Sequence, residues 1–238
     1  GTSAEAWEEV DLPLSGREIP MVIASRPRVR TADEAQRLHR PIVYLQGNIH
    51  GGEVEGKESL LMLLREFANG QHAELLDSLV LIVLPIYNAD GKERVLLTNR
   101  GSQHGPIGGM GQRPNAQGYD LNRDHMKLDS PEARSVALML QQYDPHVGVD
   151  LHTTNGTRHA YHVTYSVPMH PNTDSALVRF MRDRWMPEMT RTIRESEMNI
   201  IWGGFFRVDR IDESNIDNIY SSGCRFGMCG IESGDDGQ

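Results

Sequence analysis

The chain has few cysteines, few aromatic residues and no excess of basic side chains. Only Cys224 and Cys229 occur among its 238 residues, which excludes a disulfide scaffold for a protein of this size. The formal net charge is −9 and the basic residues are scattered, which argues against nucleic acid as a partner because phosphate binding needs a clustered positive face. The longest apolar run, residues 79–86, is much shorter than the roughly eighteen residues of a membrane span. We therefore expect no membrane-spanning segment.

Short apolar runs alternate with helical patterns along the chain. The composition, with 38% hydrophobic and 24% charged residues, is typical of a folded globular domain. Runs rich in β-branched residues predict strands at 20–25, 41–46, 79–86 and 146–151. Helices are predicted at 54–68, at 131–143 behind the capping pair Ser130-Pro131, and at 173–198 with a break near Pro187. This alternation predicts an α/β fold, a mostly parallel or mixed twisted sheet with helices on both faces.

Two histidines and a glutamate follow the ends of predicted strands. His50 and Glu53 come just after the strand at 41–46, and His152 follows the strand at 146–151. Ligands of such sheets bind beyond the carboxyl ends of the strands, so these three side chains belong at the functional edge. Two imidazoles and one carboxylate suit zinc and leave a coordination position open, as in catalytic zinc sites. The glycines Gly51 and Gly52 let the backbone turn sharply between the first two ligands.

Other features bear on the site. His159 and His162 form a second pair three residues apart, but they alternate with apolar residues in a strand-like run, which favours a structural role. The glycine-rich segment 88–125 has little apolar periodicity, and a loop of this length in a compact domain is usually functional or mobile. We expect the part of this loop from Asn99 to Gly118 to shape a substrate pocket.

Four segments in sequence order resemble motifs of the zinc metallocarboxypeptidases, the carboxypeptidase A-like peptidases. Their wider clan includes succinylglutamate desuccinylases and aspartoacylases. The segments are GNIHGGEVEGKE at 47–58, LPIYNADGKER at 84–94, GYDLNRDH at 118–125 and VDLHTTNG at 149–156. Ala89 stands where the second motif usually has proline. The resemblance covers roughly residues 40 to 160 and fades after about residue 170.

The resemblance implies a role for each matched side chain. His50, Glu53 and His152 would bind one zinc ion per chain. Asp120 would be the carboxylate that fixes the tautomer of a ligand histidine, which a zinc-bound imidazole generally requires. The Asn122-Arg123 pair would hold the terminal carboxylate of the substrate, a task that suits a planar guanidinium.

Two positions depart from the family pattern. In the family, an arginine three residues beyond an Asn-Arg pair polarises the scissile carbonyl, but Gln103 stands at that distance from Arg100. Arg100 and Arg113 are the candidates for its role. The general base of the family is a glutamate on a late strand, and Glu232, six residues before the end of the chain, is the candidate here. Otherwise the base lies beyond residue 238 or has been lost.

These implications predict a zinc-dependent metallocarboxypeptidase that removes C-terminal residues from peptides by metal-activated water. One alternative is a zinc amidohydrolase of N-acyl amino acids, of the desuccinylase or aspartoacylase type. Another is a catalytically impaired module that binds metal and carboxylates. We expect a single zinc peptidase-like domain over residues 1–238, truncated at its C-terminus if the base lies further on. Because family members are often exported and the chain begins with Gly1, a secreted or periplasmic location is favoured over a cytoplasmic one.

Overall fold

The computed structural model describes residues 7–14, 17–101, 103, 105, 107–154, 163–166, 170–195, 202–206 and 224–229. The chain forms two compact units, residues 1–157 and 158–238. The single domain over residues 1–238 stays a prediction. Among the described residues, no helix has the length and apolar character needed to cross a bilayer.

The described residues of the first unit form five strands and four helices. The strands are β1 (Trp7–Leu14), β2 (Arg17–Ala24), β3 (Ile42–Gly47), β4 (Val80–Leu84) and β5 (Val147–Leu151). The helices are α1 (Ala32–Arg37), α2 (Glu55–Ala68), α3 (Ala89–Glu93) and α4 (Pro131–Tyr143), with 3₁₀ turns at Ala73–Asp77 and Leu121–Arg123.

The sheet has the order β1-β2-β4-β3-β5. Strand β3 pairs in parallel with β4 on one side and with β5 on the other, whereas β1 and β2 join in antiparallel fashion. The sheet is therefore of the mixed kind, and the predicted α/β fold is confirmed. Strand β1 was not predicted, because its acidic residues and Pro13 hide the alternation of a strand.

Side chains of the central strands alternate between two apolar cores, one on each face of the sheet. Ile42 and Tyr44 of β3 pack with residues of α1 and α4, while Val43 and Leu45 face the core that contains Leu60 and Phe67 of α2; the same alternation holds in β4. Helices thus cover both faces of the sheet, as predicted.

The predicted helix ends have the expected physical causes. The hydroxyl of Ser130 accepts a hydrogen bond from the Ala133 amide at 3.1 Å, and Pro131 occupies the first turn of α4. The side chain of Asn88 caps α3 in the same way, accepting from the Gly91 amide at 2.8 Å. Ala89 follows this cap in the first helical turn, where proline would be tolerated equally well, so the departure from the family motif leaves the helix intact.

In the second unit, the part of the chain that the structure describes forms two helices and a two-stranded parallel sheet. Helices α5 (Ser175–Phe180) and α6 (Met186–Glu195) are joined by a π-helical turn at Met181–Trp185. The break predicted near Pro187 is thus replaced by a widened turn just before that residue. Strands β6 (Trp202–Phe206) and β7 (Cys224–Cys229) form the sheet. Both cysteines lie in one strand, where about 16 Å separates backbone positions five residues apart, further than a disulfide can span.

A buried carboxyl group lies in the first turn of α4. Glu132 is 0% exposed, and its Oε1 accepts a hydrogen bond from the side-chain amide of Asn115 at 2.9 Å. Burial raises the pKa of Glu132 above its usual 4.5, and the charges of Asp90 and Asp124 raise it further, against the opposing hydrogen bonds. A raised carboxyl pKa means that this group contributes stability at low pH, which is lost as the pH rises through the folded-state pKa.

We expect the stability of Glu132→Gln, relative to that of the native sequence, to increase as the pH is raised from 4 to 8. Glutamine keeps the acceptor for Asn115 and removes the ionisation, which is worth about 1.4 kcal/mol for each unit by which the folded-state pKa is raised. Urea unfolding at pH 4, 6 and 8 measures the difference, with the exposed Glu74→Gln as control. A stability difference that is the same at all three pH values would contradict the expectation.

Candidate metal centre and active site

The loop after β3 places His50 and Glu53 inside the protein. Asn48 adopts a left-handed conformation with φ of 60°, and its buried side-chain amide donates to the carbonyl oxygens of His50, Gly51 and Glu53 at 3.0, 3.2 and 3.0 Å. The side chain of Asn48 thereby holds the backbone of the loop in a tight turn. His50 is 3% exposed and Glu53 is 2% exposed, so both hold fixed positions.

Gly51 and Gly52 are required by close packing. A Cβ atom on Gly51 would lie 2.2 Å from the carbonyl carbon of Gly91 in α3. A Cβ atom on Gly52 would lie 2.6 Å from both Cδ of Arg100 and the carbonyl oxygen of Gly111. Neither separation is possible for a real side chain, so the loop reaches this position only with glycine at both places.

Three side chains from two adjacent parallel strands converge at one point. The carboxylate of Glu53 lies between the imidazoles, with Oε1 at 2.9 Å from Nδ1 of His50 and Oε2 at 3.0 Å from Nδ1 of His152. One donor atom from each of the three residues lies within 4.8 Å of the others, and this is the only such group of three among the described residues. Two imidazole nitrogens and a carboxylate at this spacing form a donor set that fits zinc.

The far nitrogen of each imidazole faces a carboxylate. Nε2 of His50 lies 3.2 Å from Oδ1 of Asp120, and Nε2 of His152 lies 2.7 Å from Oδ2 of Asp150. A carboxylate that accepts the Nε2 proton leaves the Nδ1 lone pair available to a metal, so both rings are held in the tautomer that a ligand needs. Asp150 was missed from the sequence, although its position two residues before His152, on the same side of the strand end, was a usable signal.

Contacts within the group shift the pKa values of Glu53 and His152. Burial alone would raise the pKa of Glu53, but the contacts with the imidazoles of His152 and His50 and the hydrogen bond from the Thr153 amide outweigh it and hold that pKa far below its usual range. Burial would lower the pKa of His152, yet the bonds to Asp150 and Glu53 raise it to about 9. A cation is therefore favoured here, and a metal must compete with a proton on His152.

Asn122 and Arg123 lie in the 3₁₀ turn next to the group. The turn begins at Asp120, whose Oδ1 accepts from the Asn122 amide at 3.0 Å. The side-chain nitrogen of Asn122 is 3.4 Å from Nε2 of His152, whereas the exposed Arg123 donates to the Asn122 carbonyl at 2.8 Å. One turn thus places the side-chain amide of Asn122 beside the metal-ligating group, with Arg123 next to it in the chain.

The two candidate arginines for polarising the scissile carbonyl, Arg100 and Arg113, pair with different carboxylates. Nη2 of Arg100 is 2.6 Å from Oε1 of Glu53, and its side chain is 8% exposed. Nε of Arg113 is 2.8 Å from Oδ2 of Asp120, and its side chain is 35% exposed. The Arg113 contact, with the bond from Asn122, lowers the pKa of Asp120 against the effect of burial, so that group stays ionised.

Three residues singled out in the sequence lie outside the described residues. They are Glu232, the candidate general base, and the pair His159 and His162. Sequence reasoning also missed Asn88. Its side-chain amide donates to the carbonyls of Ile49 and Arg113, both at 3.2 Å, and so ties the ligand loop to the segment that carries Arg113.

Comparisons with known proteins agree with this geometry. The family model described as zinc carboxypeptidase matches residues 13–183. A probable carboxypeptidase 2 of Trichophyton verrucosum is 32% identical over 153 residues, 62% of this chain and 26% of that protein. Human carboxypeptidase D is 36% identical over 103 residues, 40% of this chain and 8% of that protein. The chain thus spans about a quarter or less of the length of these relatives.

The fold has a counterpart among solved structures. A metallo-carboxypeptidase from Burkholderia cenocepacia superposes with a TM-score of 0.63 over 96% of this chain and 57% of that one, at 18% identity. The resemblance predicted from the four motifs is confirmed by the family match, which covers well over half of the sequence. The chain therefore belongs to the zinc carboxypeptidase family.

Proposed function

We propose that this chain carries the active site of a zinc-dependent metallocarboxypeptidase, which hydrolyses C-terminal residues from peptides. The observation that carries the proposal is the convergence of His50, Glu53 and His152 beside the Asn122-Arg123 turn. A metal-ligating group adjacent to donors for a carboxylate is the arrangement that cleavage of a terminal peptide bond requires.

His50, Glu53 and His152 would hold one zinc ion through two Nδ1 atoms and the carboxylate. Bound zinc lowers the pKa of a water molecule towards neutrality and polarises a carbonyl oxygen. Asp120 and Asp150 keep both imidazoles in the required tautomer, since each faces the Nε2 atom of one ring.

Asn122 and Arg123 would bind the terminal carboxylate of the peptide. Arg123 is exposed, and its guanidinium can pair with a carboxylate through two parallel hydrogen bonds. Fixing this end of the substrate would orient the last peptide bond towards the three ligands. Such positioning lowers the entropic part of the activation barrier.

Arg113 suits the polarisation of the scissile carbonyl better than Arg100 does. It donates to Asp120 through Nε, so its terminal amino groups take no part in that bond, and about a third of its side chain is exposed. Arg100 is almost fully enclosed and directs one terminal amino group at Glu53. A single donor to a developing oxyanion is worth about 10²- to 10³-fold in rate.

Glu232 remains the proposed general base. A glutamate there would take a proton from water and deliver it to the leaving amine, a step that typically contributes about 10²- to 10⁴-fold. The N-acyl amino acid substrates and the impaired binding module stay open as alternatives. A secreted or periplasmic location also stays a proposal, resting on the family resemblance.

We expect the zinc-loaded chain to remove single C-terminal residues from a mixed peptide pool, and His152→Ala to abolish this activity. The variant loses one of three metal ligands and one of the two partners of Oε2 of Glu53. Mass spectrometry of the pool before and after incubation measures the shortening. His146→Ala is the matched control, because His146 is exposed just before the opposite end of β5 and contacts the Ile42 amide, away from the group.

Each outcome selects among the proposed activities. Shortened peptides with the native chain and His146→Ala, but not with His152→Ala, support the carboxypeptidase. Zinc binding with no shortened peptide refutes it for this chain, and incubation with N-succinyl and N-acetyl amino acids then separates the amidohydrolase from the binding module.

A further inference from the structure

Arg100 is held in an unusual and enclosed position. Its backbone is left-handed, with φ of 52°, a conformation that costs energy for a residue with a side chain. Its guanidinium nevertheless approaches Glu53 at 2.6 Å, where both side chains are buried. A strained backbone that delivers a buried charge to one specific carboxylate indicates that this contact stabilises the local structure.

The absence of a side chain at Gly52 makes room for Arg100. The Cδ atom of Arg100 lies 2.6 Å from the position that a Cβ on Gly52 would take. Any larger residue at 52 would therefore displace the arginine from Glu53. Gly52 thus allows both the tight turn between His50 and Glu53 and the approach of Arg100 to Glu53.

Gln103 extends this contact to the other ligand segment. Nε of Arg100 donates to Oε1 of Gln103, and Nε2 of Gln103 donates to the carbonyl of Thr154, two residues after His152. The backbone between them is closed by a bond from the Gln103 amide to the Arg100 carbonyl at 2.8 Å. Arg100 and Gln103 together connect the glycine-rich loop to both ligand-bearing segments.

We propose that Arg100 is a positioning residue for Glu53 and that, with Gln103, it clamps the glycine-rich loop over the metal centre. Arg100 fixes Oε1 of Glu53 while the Thr153 amide, at 3.0 Å, fixes Oε2, so the carboxylate cannot rotate. Hydrogen bonds that orient a ligating carboxylate strengthen metal binding. The inference rests on the proposed function to the extent that Glu53 is taken as a metal ligand.

The test is the zinc affinity of Arg100→Met, measured by competition with a chromophoric chelator. We expect the affinity to fall about 10- to 100-fold, the usual effect of losing an orienting partner. Arg100→Lys keeps the positive charge but not the planar guanidinium, so its zinc affinity should lie between those of Arg100→Met and the native chain. The matched control is Arg94→Met, since Arg94 is exposed in the same segment.

Amide hydrogen exchange over residues 94–112 tests the clamp independently of the metal ligand. Faster exchange is expected for Arg100→Met and for Gln103→Ala, whereas Gln103→Ala should leave zinc affinity within about threefold, because its link to Glu53 is indirect. If Arg100→Met does not fold, Arg100→Lys and Gln103→Ala carry the test, with a smaller loss of affinity and faster exchange as the supporting results.

Zinc affinity in Arg100→Met equal to or tighter than that of the native chain would overturn the positioning role. Unchanged exchange in Gln103→Ala would overturn the clamp. Neither measurement uses peptide hydrolysis, so an inactive native chain with weakened zinc binding in Arg100→Met would refute the peptidase alone. Peptide cleavage by the native chain, with full zinc affinity in the variant, would refute the positioning role alone.

Discussion

Replacing Glu53 by alanine is expected to reduce the free energy of unfolding by about 3–5 kcal/mol, the usual effect of removing one partner of a buried ion pair. Glu53 is the carboxylate that neutralises Arg100, contacts Nδ1 of His50 and of His152 and accepts from the Thr153 amide, and it is 2% exposed. No other acidic group of the described residues meets all four. The same variant should lose stoichiometric zinc binding, and its hydrolysis should fall to that of chelator-treated protein.

Urea unfolding and zinc titration measure these two effects separately. Glu55→Ala is the control, because Glu55 is exposed in the first turn of α2 and contributes at most about 1 kcal/mol through the helix dipole. Native-like stability of Glu53→Ala would mean that Arg100 and the imidazoles find other partners, and the description of Glu53 as the centre of the group would be wrong.

Gly51→Ala is expected to destabilise the protein by about 3 kcal/mol or more, at the upper end of the range for overpacking. The new methyl group would lie 2.2 Å from the Gly91 carbonyl carbon and 2.4 Å from the Lys92 amide nitrogen. Both are backbone atoms of α3, so no side-chain rotation relieves the clash. The loop must move, and with it His50 and Glu53 relative to His152, which should also weaken zinc binding.

Gly108→Ala is the matched control for this change. Nothing lies within 4 Å of a Cβ built at Gly108, so the substitution should be nearly neutral. Thermal unfolding and zinc competition on both variants provide the comparison. Equal midpoints for Gly51→Ala and the native chain would show that the loop and α3 can separate at no cost, contrary to the packing described.

Most of the sheet could be predicted because its central strands have simple patterns. β3 and β4 are short, largely apolar runs that contain β-branched residues, and both were predicted to within two residues at each end. The ends of α4 were predicted because Ser130 and Pro131 are strong local signals. β1 carries no such signal, since its pairing with β2 depends on a register that only the folded sheet defines.

The three side chains of the metal-ligating group could also be predicted, because each follows a recognisable strand. Their role as zinc ligands stays a prediction. Not all of the partners that hold them could be predicted. Asp120 was expected from the motif resemblance to orient a ligand histidine, but Arg100 reaches Glu53 across 47 residues of sequence, through a glycine-rich loop with no periodic pattern. Asn48 depends on a left-handed backbone that its own residue type permits but does not require.

The parallel pairing of β3 with β5 gives the candidate metal centre a further property. Gly47 lies opposite Leu151 at the ends of the two strands, so Glu53 and His152 meet although 99 residues separate them in sequence. A slip of one residue between these strands would turn His152 to the opposite face and shift it by about 3.3 Å. Bound zinc would therefore report on strand alignment: during refolding it would be captured only by chains whose β3 and β5 had already paired correctly.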